Sequence, residues 1–464
     1  MIKTCSLYKP SKFNIVSETD SGDLLIFNSY TGLSSFTKVH KDYKKKMNEI
    51  LSSNVLSISN FELESSLTQL LIAGVIVPQE DDEMRKIESK YFEVVTGSPS
   101  NYLQLIILPT EKCNFKCSYC YESFTKSHLT LEREEAIFNF ASRLLKGYAG
   151  LSINWFGGEP LIAMDSIERL SIRFIELCKR MKKPYTSVMT TNGYLLDSNK
   201  LRDLLKLRVV DFQITLDGLK DTHDRYRRTI NNEGTFDRIV ANIKDIKINV
   251  KSQLFHISIR TNYTRELYES RSECLAFIND LISDDSRFSM YIRSVGDQGG
   301  DNGICEIKND AQLIDGDKMG AIAEMASKVN NVQINAHLTM IQPGGSMCYA
   351  GKSNHFVIDS QGILRKCTHF LDNPSFSLGR IEPDGRVKID KNIESKFISR
   401  MILGDKCLKC NLIGVCFNRV CPIGRYADDE MSEAACPFEK DMVNYLLILA
   451  EKSNPALFAD LYQV

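Results

Sequence analysis

The sequence predicts an α/β fold: a parallel sheet with helical crossovers, curved into a partial (β/α)6 barrel, with smaller modules before and after it. Two observations carry this. Between Leu103 and Val295, short apolar strand-like runs alternate six times with stretches of helical periodicity. A length of 464 residues, 43% of them apolar and 25% charged, is enough chain for a sizeable core and about three domains at roughly 150 residues each.

Taken in order, residues 1–92 read as a small strand-and-helix module. NIVSE and DLLIFN flank the turn-forming DSGD, helix-like stretches follow near 37–52 and 60–73, and the short strand GVIVP closes it. The outline resembles a winged helix, and the charged stretch QEDDEMRKIESK reads as its linker to the barrel. The barrel occupies 100–330. Its alternations are LQLIIL then 131–147, INWF then 165–182, TSVMT then 197–206, DFQITL then 236–249, FHISIR then 265–281, and SMYIRSV then 311–328. In such sheets ligands gather at the C-terminal ends of the strands. The short motifs fall there: CNFKCSYC after the first strand, GGEP after the second, TTNG after the third and DG after the fourth. Residues 340–440 hold short strands (HFVIDSQGIL, SLGRIE) and cysteine-rich loops. Their apolar periodicity is too sparse for a self-sufficient core, so metal clusters are expected to hold the region together. Residues 441–464 read as a final amphipathic helix, MVNYLLILAEK.

The 58 Lys and Arg against 59 Asp and Glu leave a net charge of -1, which gives no global basic field for nucleic acid or an anionic membrane. No apolar run approaches the roughly 18 residues of a membrane span, and MIKTCSLYKPSKF lacks a signal peptide's apolar stretch, so a cytoplasmic location is expected. Fourteen cysteines in a reducing compartment point to metal or redox use rather than disulfides. Cys113, Cys117 and Cys120 form one group, and Cys348, Cys367, Cys407, Cys410, Cys416, Cys421 and Cys436 a second. Cys5, Cys178, Cys274 and Cys305 are scattered and read as small hydrophobes.

A cubane iron–sulfur cluster has four irons, each usually bound by one thiolate, so three cysteines on one loop at CxxxCxxC spacing leave one iron open. A structural zinc site wants four closed ligands, and a fourth could come from elsewhere in the fold. CxxxCxxC after the first strand, with GGEP at 157–160, TTNG after the third and ITLDG after the fourth, resembles the radical S-adenosylmethionine (SAM) superfamily. The resemblance implies that Cys113, Cys117 and Cys120 bind a [4Fe–4S] cluster whose open iron takes the amine and carboxylate of SAM. Gly157 and Gly158 would let the backbone approach the ligand, and Glu159 suits the SAM ammonium. Tyr119 would shield the cluster, contact adenine or simply pack. Thr215 is expected near the ribose and Arg227 at the SAM carboxylate, while Asp217 and His223 are read as stabilising the turn and the following helix. Arg260 and Asn262 point towards the same face. The cofactor would supply a 5'-deoxyadenosyl radical, and the protein its position and shelter from water.

The second group, Cys348-x18-Cys367, then Cys407-x2-Cys410-x5-Cys416-x4-Cys421-x14-Cys436, resembles the SPASM extension of this superfamily. That resemblance implies two auxiliary [4Fe–4S] clusters, three clusters in all. Cys407, Cys410, Cys416 and Cys436 would ligate the second auxiliary cluster, and Cys348, Cys367 and Cys421 the first. A zinc ribbon is the competing reading of the CxxC spacing. Two departures from the family pattern stand out: four residues rather than three separate Cys416 from Cys421, and YAGKSNHF offers no further cysteine after Cys348. The first auxiliary cluster would then have an open iron, to be filled by a substrate thiolate, another ligand, or a side chain such as His355 or His369.

SPASM-bearing relatives mostly act on peptides or proteins, and the amino-terminal module is similar in outline to the element that binds leader peptides of ribosomally made, post-translationally modified peptides (RiPPs) by strand addition. A plain structural role for the module is the alternative. The expectation is a RiPP maturase that abstracts a hydrogen from a precursor peptide and installs a thioether or carbon–carbon crosslink. Its partners would be the precursor with its leader and an electron donor such as flavodoxin or ferredoxin, with no nucleic acid and no membrane. An anaerobic sulfatase maturase is the second enzymatic reading. It is weakened by Thr368 and His369 standing where that family has an aspartate after the ligand matched by Cys367. A zinc-stabilised binding protein is the third.

Overall fold

The computed structural model describes residues 7–57, 64–96, 101–122, 128–295, 324, 329, 338–369, 371–398, 405–417 and 440–461. They fall into two compact units. The first gathers Met1–Thr96, Ile334–Gly351 and Ser399–Val464, and the second Gly97–Gln333 and Lys352–Ile398.

In the first unit, β1 (Leu7–Pro10) precedes a hairpin of β2 (Asn14–Glu18) and β3 (Leu24–Asn28), turned at Gly22 with φ +89°. Then come β4 (Thr37–Val39), α1 (Lys44–Ser52), β5 (Leu56–Ser57), α2 (Glu64–Ile72) and β6 (Ile76–Pro78). β1 is the centre of an antiparallel sheet ordered β5-β1-β6, while β4, β3 and β2 share a second sheet with the strand Ala459–Leu461. Ile26, Met47, Leu70, Val75 and Ile76 close a core between them. Two expectations change. The helix anticipated from 37 begins only at Lys44, because Thr37–Val39 carries two β-branched residues, both buried, and pairs with β3. The charged stretch anticipated as a linker is helical: α3 (Glu83–Thr96) is capped by Asp82, whose Oδ1 accepts the N–H groups of Met84 and Arg85 at 3.1 Å. Its Ile87, Tyr91 and Val95, spaced by four, are buried, and the Tyr91 ring meets Phe417 edge-on at 5.6 Å.

The second unit is an α/β fold on a nine-stranded mixed sheet that does not close into a barrel. Its elements are β7 (Tyr102–Thr110), β8 (Phe115–Cys117), α4 (Leu131–Leu144), β9 (Gly150–Gly157), α5 (Met164–Met181), β10 (Tyr185–Thr191), α6 (Ser198–Lys206), β11 (Val209–Thr215), α7 (Lys220–Tyr226), β12 (Arg227–Thr229), α8 (Phe236–Asn249), β13 (His256–Tyr263), α9 (Arg265–Glu269), α10 (Arg271–Ile282) and β14 (Phe288–Ser294). Neighbouring strands in the order β14-β13-β11-β10-β9-β7 are parallel, and these are the six strands anticipated. Thr130, Asp197 and Thr264 cap α4, α6 and α9 by accepting the N–H of the third residue on. The helix anticipated over 311–328 lies, apart from Glu324, outside the described residues.

The sheet continues past β7 through β15 (His355–Ile358), which is parallel to it, and through antiparallel β16 (Ile363–Arg365) and β17 (Gly379–Arg380). Gly362, at φ +75°, turns β15 into β16, and α11 (Lys391–Phe397) follows β17. All four β15 residues are buried. Residues 352–398 are therefore carried by the main sheet, where the sequence reading relied on metal clusters alone. Among the described residues no helix is long and apolar enough to cross a membrane.

Candidate functional site

The motifs meet at the C-terminal ends of β7, β9, β10 and β11. β7 ends at Thr110, and the chain turns through 111–114 into β8, which carries Cys117 and pairs antiparallel with β12 in the register Cys117 with Arg227 and Phe115 with Thr229. This two-stranded clip holds the cysteine loop. Cys120 closes it as its N–H donates to the Cys117 carbonyl at 3.2 Å.

GGEP is wedged against the stem of that loop. Gly157 sits at φ +115°, and a Cβ there would lie 2.3 Å from the Thr110 carbonyl oxygen; one on Gly158 would lie 2.4 Å from that of Lys112. Only glycine admits this approach. Gly158 N–H donates to Thr110 O at 3.3 Å and Glu159 N–H to Lys112 O at 2.9 Å, so the two glycines join β9 to the segment leading into Cys113.

Glu159 is fully buried. Its Oε1 accepts Leu161 N–H at 3.1 Å and the Thr191 hydroxyl at 2.8 Å, and its Oε2 accepts Asn192 N–H at 2.7 Å. A carboxylate offers about four acceptor positions, so about one is left for a ligand donor. Burial pushes its pKa up against these donors and Arg227.

Tyr119, between two of the cysteines, is the hub of a network. Its hydroxyl bonds Asp217 Oδ2, receives Arg227 Nη1 at 2.7 Å and faces Asn262 Nδ2 at 3.3 Å. Asp217 Oδ1 accepts Asn262 N–H at 2.8 Å, and Asp217 N–H donates to His223 Nδ1 at 3.1 Å. His223 Nε2 lies 3.0 Å from the Thr235 hydroxyl, and burial lowers its pKa well below the ordinary value, so the ring is neutral. His223 thus holds the turn, as anticipated, whereas Asp217 also reaches the cysteine loop. Arg227 is 6% exposed and lies 3.9 Å from Asp217, with its guanidinium over the Phe115 ring at 5.7 Å. Burial opposes its charge, but Tyr119, Cys117 and Asp217 more than offset that. Its Nε is buried with no hydrogen-bond partner. Thr215 ends β11 beside Arg260 of β13.

The thiols are electrostatic neighbours. Burial pushes Cys113 up to about 12, with Glu159 and Cys117 adding to it, and raises Cys117 against Arg227. Cys120 is also raised, by burial first and then by Glu122 and Cys117. Several cysteines share a local device, in which the N–H two residues on points at the sulfur: Phe115 at Cys113 (3.3 Å), Glu122 at Cys120, His369 at Cys367 (3.4 Å) and Leu412 at Cys410 (3.4 Å). Such donors favour a thiolate and suit an iron–sulfur ligand. Among the described residues no three His, Cys, Asp or Glu side chains are gathered closely enough to hold a metal ion as they stand. The triad is a loop of adjacent thiols rather than a closed cage.

In the second cysteine group, Cys348, Cys407, Cys410 and Cys416 belong to the first unit and Cys367 to the second, while Cys421 and Cys436 lie outside the described residues. His369 stacks on Tyr121, the residue after Cys120, with ring centroids 4.3 Å apart. His355 is buried on β15. Cys178 and Cys274 are each 1% exposed, as expected of small core residues. The sequence reading passed over Asn192 as an individual residue. Its Nδ2 donates to Asn114 Oδ1 at 2.8 Å and lies 4.0 Å from Cys113 Sγ, a contact that TTNG flagged only by its place at a strand end.

Residues 107–270 match the model of the Radical SAM superfamily. The radical SAM cyclopropyl synthase TigE of Paramaledivibacter caminithermalis is 25% identical over 302 residues, 59% of this chain and 59% of that protein, so the chain spans well under two thirds of this relative's length. Among solved structures, native anSMEcpe with bound AdoMet and Cp18Cys peptide has a TM-score of 0.56 at 18% identity, covering 76% of this chain and 97% of that one. Streptococcus suis SuiB bound to precursor peptide SuiA has a TM-score of 0.51 at 17% identity, covering 91% and 97%. At these identities the structures share a fold. The parallel strands, the cysteine loop after the first of them and the family match agree: the chain carries a radical SAM domain.

Proposed function

We propose that this chain is a radical SAM peptide maturase, which abstracts a hydrogen atom from a ribosomally made precursor peptide and installs a thioether or carbon–carbon crosslink. The pairing of Cys117 with Arg227, whose buried Nε has no partner among the described residues, carries the reading. A triad of thiols and an unspent guanidinium donor on adjoining strands fit a cluster and an amino-acid carboxylate side by side. Cys113, Cys117 and Cys120 would hold a [4Fe–4S] cluster, Arg227 the SAM carboxylate, and Glu159 its ammonium through the remaining acceptor position, with Gly157, Gly158, Thr215 and Tyr119 shaping the same pocket. When bound, the cluster and SAM supply a 5'-deoxyadenosyl radical and methionine. The chain's own contribution is to fix this geometry: the glycine wedge sets the depth of the cysteine loop, and Asp217, held by Asn262 and His223, orients Tyr119 and Arg227.

Cys348, Cys367, Cys407, Cys410, Cys416, Cys421 and Cys436 would hold two auxiliary [4Fe–4S] clusters, and the N–H donors at Cys367 and Cys410 support that role. Peptide as substrate is supported by the peptides bound in the anSMEcpe and SuiB structures. The module at 1–92 would take the leader, and a flavodoxin or ferredoxin would supply the electron. The test is anaerobic iron and sulfide quantitation on reconstituted protein beside a Cys113→Ala/Cys117→Ala/Cys120→Ala variant, with both assayed for SAM cleavage under dithionite. Roughly twelve irons falling to about eight, with loss of 5'-deoxyadenosine, is expected at four irons per cluster. Unchanged 5'-deoxyadenosine in the variant would sink the assignment.

A further inference from the structure

We infer that Arg260 and Arg293 form a binding subsite for a carboxylate of the peptide substrate, on the polar face of the sheet beside the cysteine loop. This rests on the peptide-modifying reading above and names a feature of its substrate. In the register of β11, β13 and β14, Thr215 pairs with Arg260, Arg260 with Tyr291, and Asn262 with Arg293. Side chains two apart on a strand share a face, so the two arginines are diagonal neighbours on the face that also carries Gln213 and Ser258. The opposite face of the same strands carries Phe212, Ile257, Ile259 and Met290, all at 1% exposure or less, and is the packed one.

Two cations side by side repel, and buried or half-buried ones need a counter-charge. Among the described residues neither arginine makes a salt bridge. Asp217, the carboxylate that feels Arg260, already spends its oxygens on Asn262 N–H and the Tyr119 hydroxyl. Arg293 is open to solvent yet hemmed in by the sheet, which, with Arg260 beside it, lowers its pKa. Tyr291, whose hydroxyl bonds Gln213 Oε1, is raised by burial and to a lesser extent by Asp211, and is opposed by both arginines, Arg260 also through a side-chain hydrogen bond, which places both guanidinium groups near it. On the same face Ser258 is 5% exposed and its hydroxyl has no partner. An incoming carboxylate would satisfy both cations, the planar forks of arginine being suited to bidentate contact.

The position also has a consequence for chemistry. Arg260 Nε donates to Asn262 Oδ1 at 2.7 Å, and Asn262 Nδ2 reaches the Tyr119 hydroxyl at 3.3 Å. A carboxylate held on Arg260 stands three hydrogen bonds from the Tyr119 hydroxyl of the cysteine loop. An Asp or Glu of the peptide, or its C-terminus, would thereby set which neighbouring carbon faces the radical.

The test uses the reconstituted full chain with SAM and compares acetyl-Gly-Gly-Asp-Gly-Gly-amide with its Asn isostere by ligand-detected NMR. The Asp peptide is expected to bind about tenfold tighter or better, as charge-assisted hydrogen bonds do. The ratio should fall to within about twofold in Arg260→Gln/Arg293→Gln and largely persist in Arg260→Lys/Arg293→Lys, which keeps the charges. If the double Gln variant does not fold, Arg293→Gln alone, at an exposed position, should lower the ratio about threefold. Equal binding of both peptides by the wild type would overturn the subsite and leave the peptide reading standing; binding of neither would overturn both. An unchanged ratio with SAM affinity about tenfold lower in the Gln variant would assign the pair to SAM instead. Displacement of the Asp peptide by inorganic phosphate at lower concentration than by free Asp peptide would assign it to a phosphorylated ligand.

Discussion

Acidification should weaken the second unit through His355. The imidazole is 7% exposed on β15, and its carbonyl accepts the Nζ of Lys366, which is itself fully buried, at 2.5 Å. Burial, then Lys366 and Lys352, lower its pKa from 6.5 to about 3. The folded pKa lies below the unfolded one, so the stability from keeping the ring neutral is complete above 6.5 and is lost as pH falls towards 3. Each unit is worth about 1.4 kcal/mol, so at pH 5 the loss is about 2 kcal/mol. Trp155, the chain's one tryptophan, is fully buried on β9, which pairs with β7, which pairs with β15. Urea unfolding of cluster-free protein followed by its fluorescence at pH 7, 6 and 5 reads the loss directly. His355→Gln, lacking the ionisable ring, should lose about 2 kcal/mol less over that range. Parallel pH profiles for wild type and variant would refute the reasoning, because a ring that titrates normally is not held between β7 and β16.

Gly157→Ala should destabilise the second unit by about 3 kcal/mol in the same Trp155 assay, combining left-handed strain with the 2.3 Å approach to the Thr110 carbonyl, and should lower the iron held by the cysteine loop. Arg227→Gln should weaken SAM binding by about tenfold or more while leaving the iron content of the reconstituted protein unchanged, measured by equilibrium dialysis beside iron quantitation. Tyr91→Ala should cost the first unit about 3–5 kcal/mol through the cavity against Phe417. Hydrogen exchange should then quicken at Ile413–Cys416 and stay unchanged in β7 through β14.

The six parallel strands were legible because each is an apolar run buried on at least one face, a pattern that survives without knowledge of neighbours. The glycines of GGEP and the cysteine spacing were legible because their chemistry is local. What was hidden depends on distant partners. HFVI reads as a short strand, but nothing within it says that it pairs with 104–107, some 250 residues earlier. α3 was masked by its composition: QEDDEMRKIESK is dominated by charge, and the apolar stripe of Ile87, Tyr91 and Val95 begins near its end. Asn192 escaped individual notice because an asparagine at a strand end has no signature until its partner is known, here Asn114.

The polar groups around the cysteine loop divide by whether the chain has spent them. Glu159, Asp217 and His223 have given nearly all their capacity to backbone N–H groups and neighbouring side chains, and each is fully or almost fully buried. Their removal would orphan donors that hold the strand ends in place, so they set geometry. Among the described residues Arg227 Nε and Ser258 Oγ lack a hydrogen-bond partner and the Arg260–Arg293 pair lacks a salt bridge, and all belong to β12–β14. For the buried Arg227 Nε and Ser258 Oγ, staying unmet without a ligand would carry a desolvation cost with nothing to offset it. The saturated groups therefore form the frame, and under the proposed function the unsaturated ones are the places where SAM and substrate would complete it.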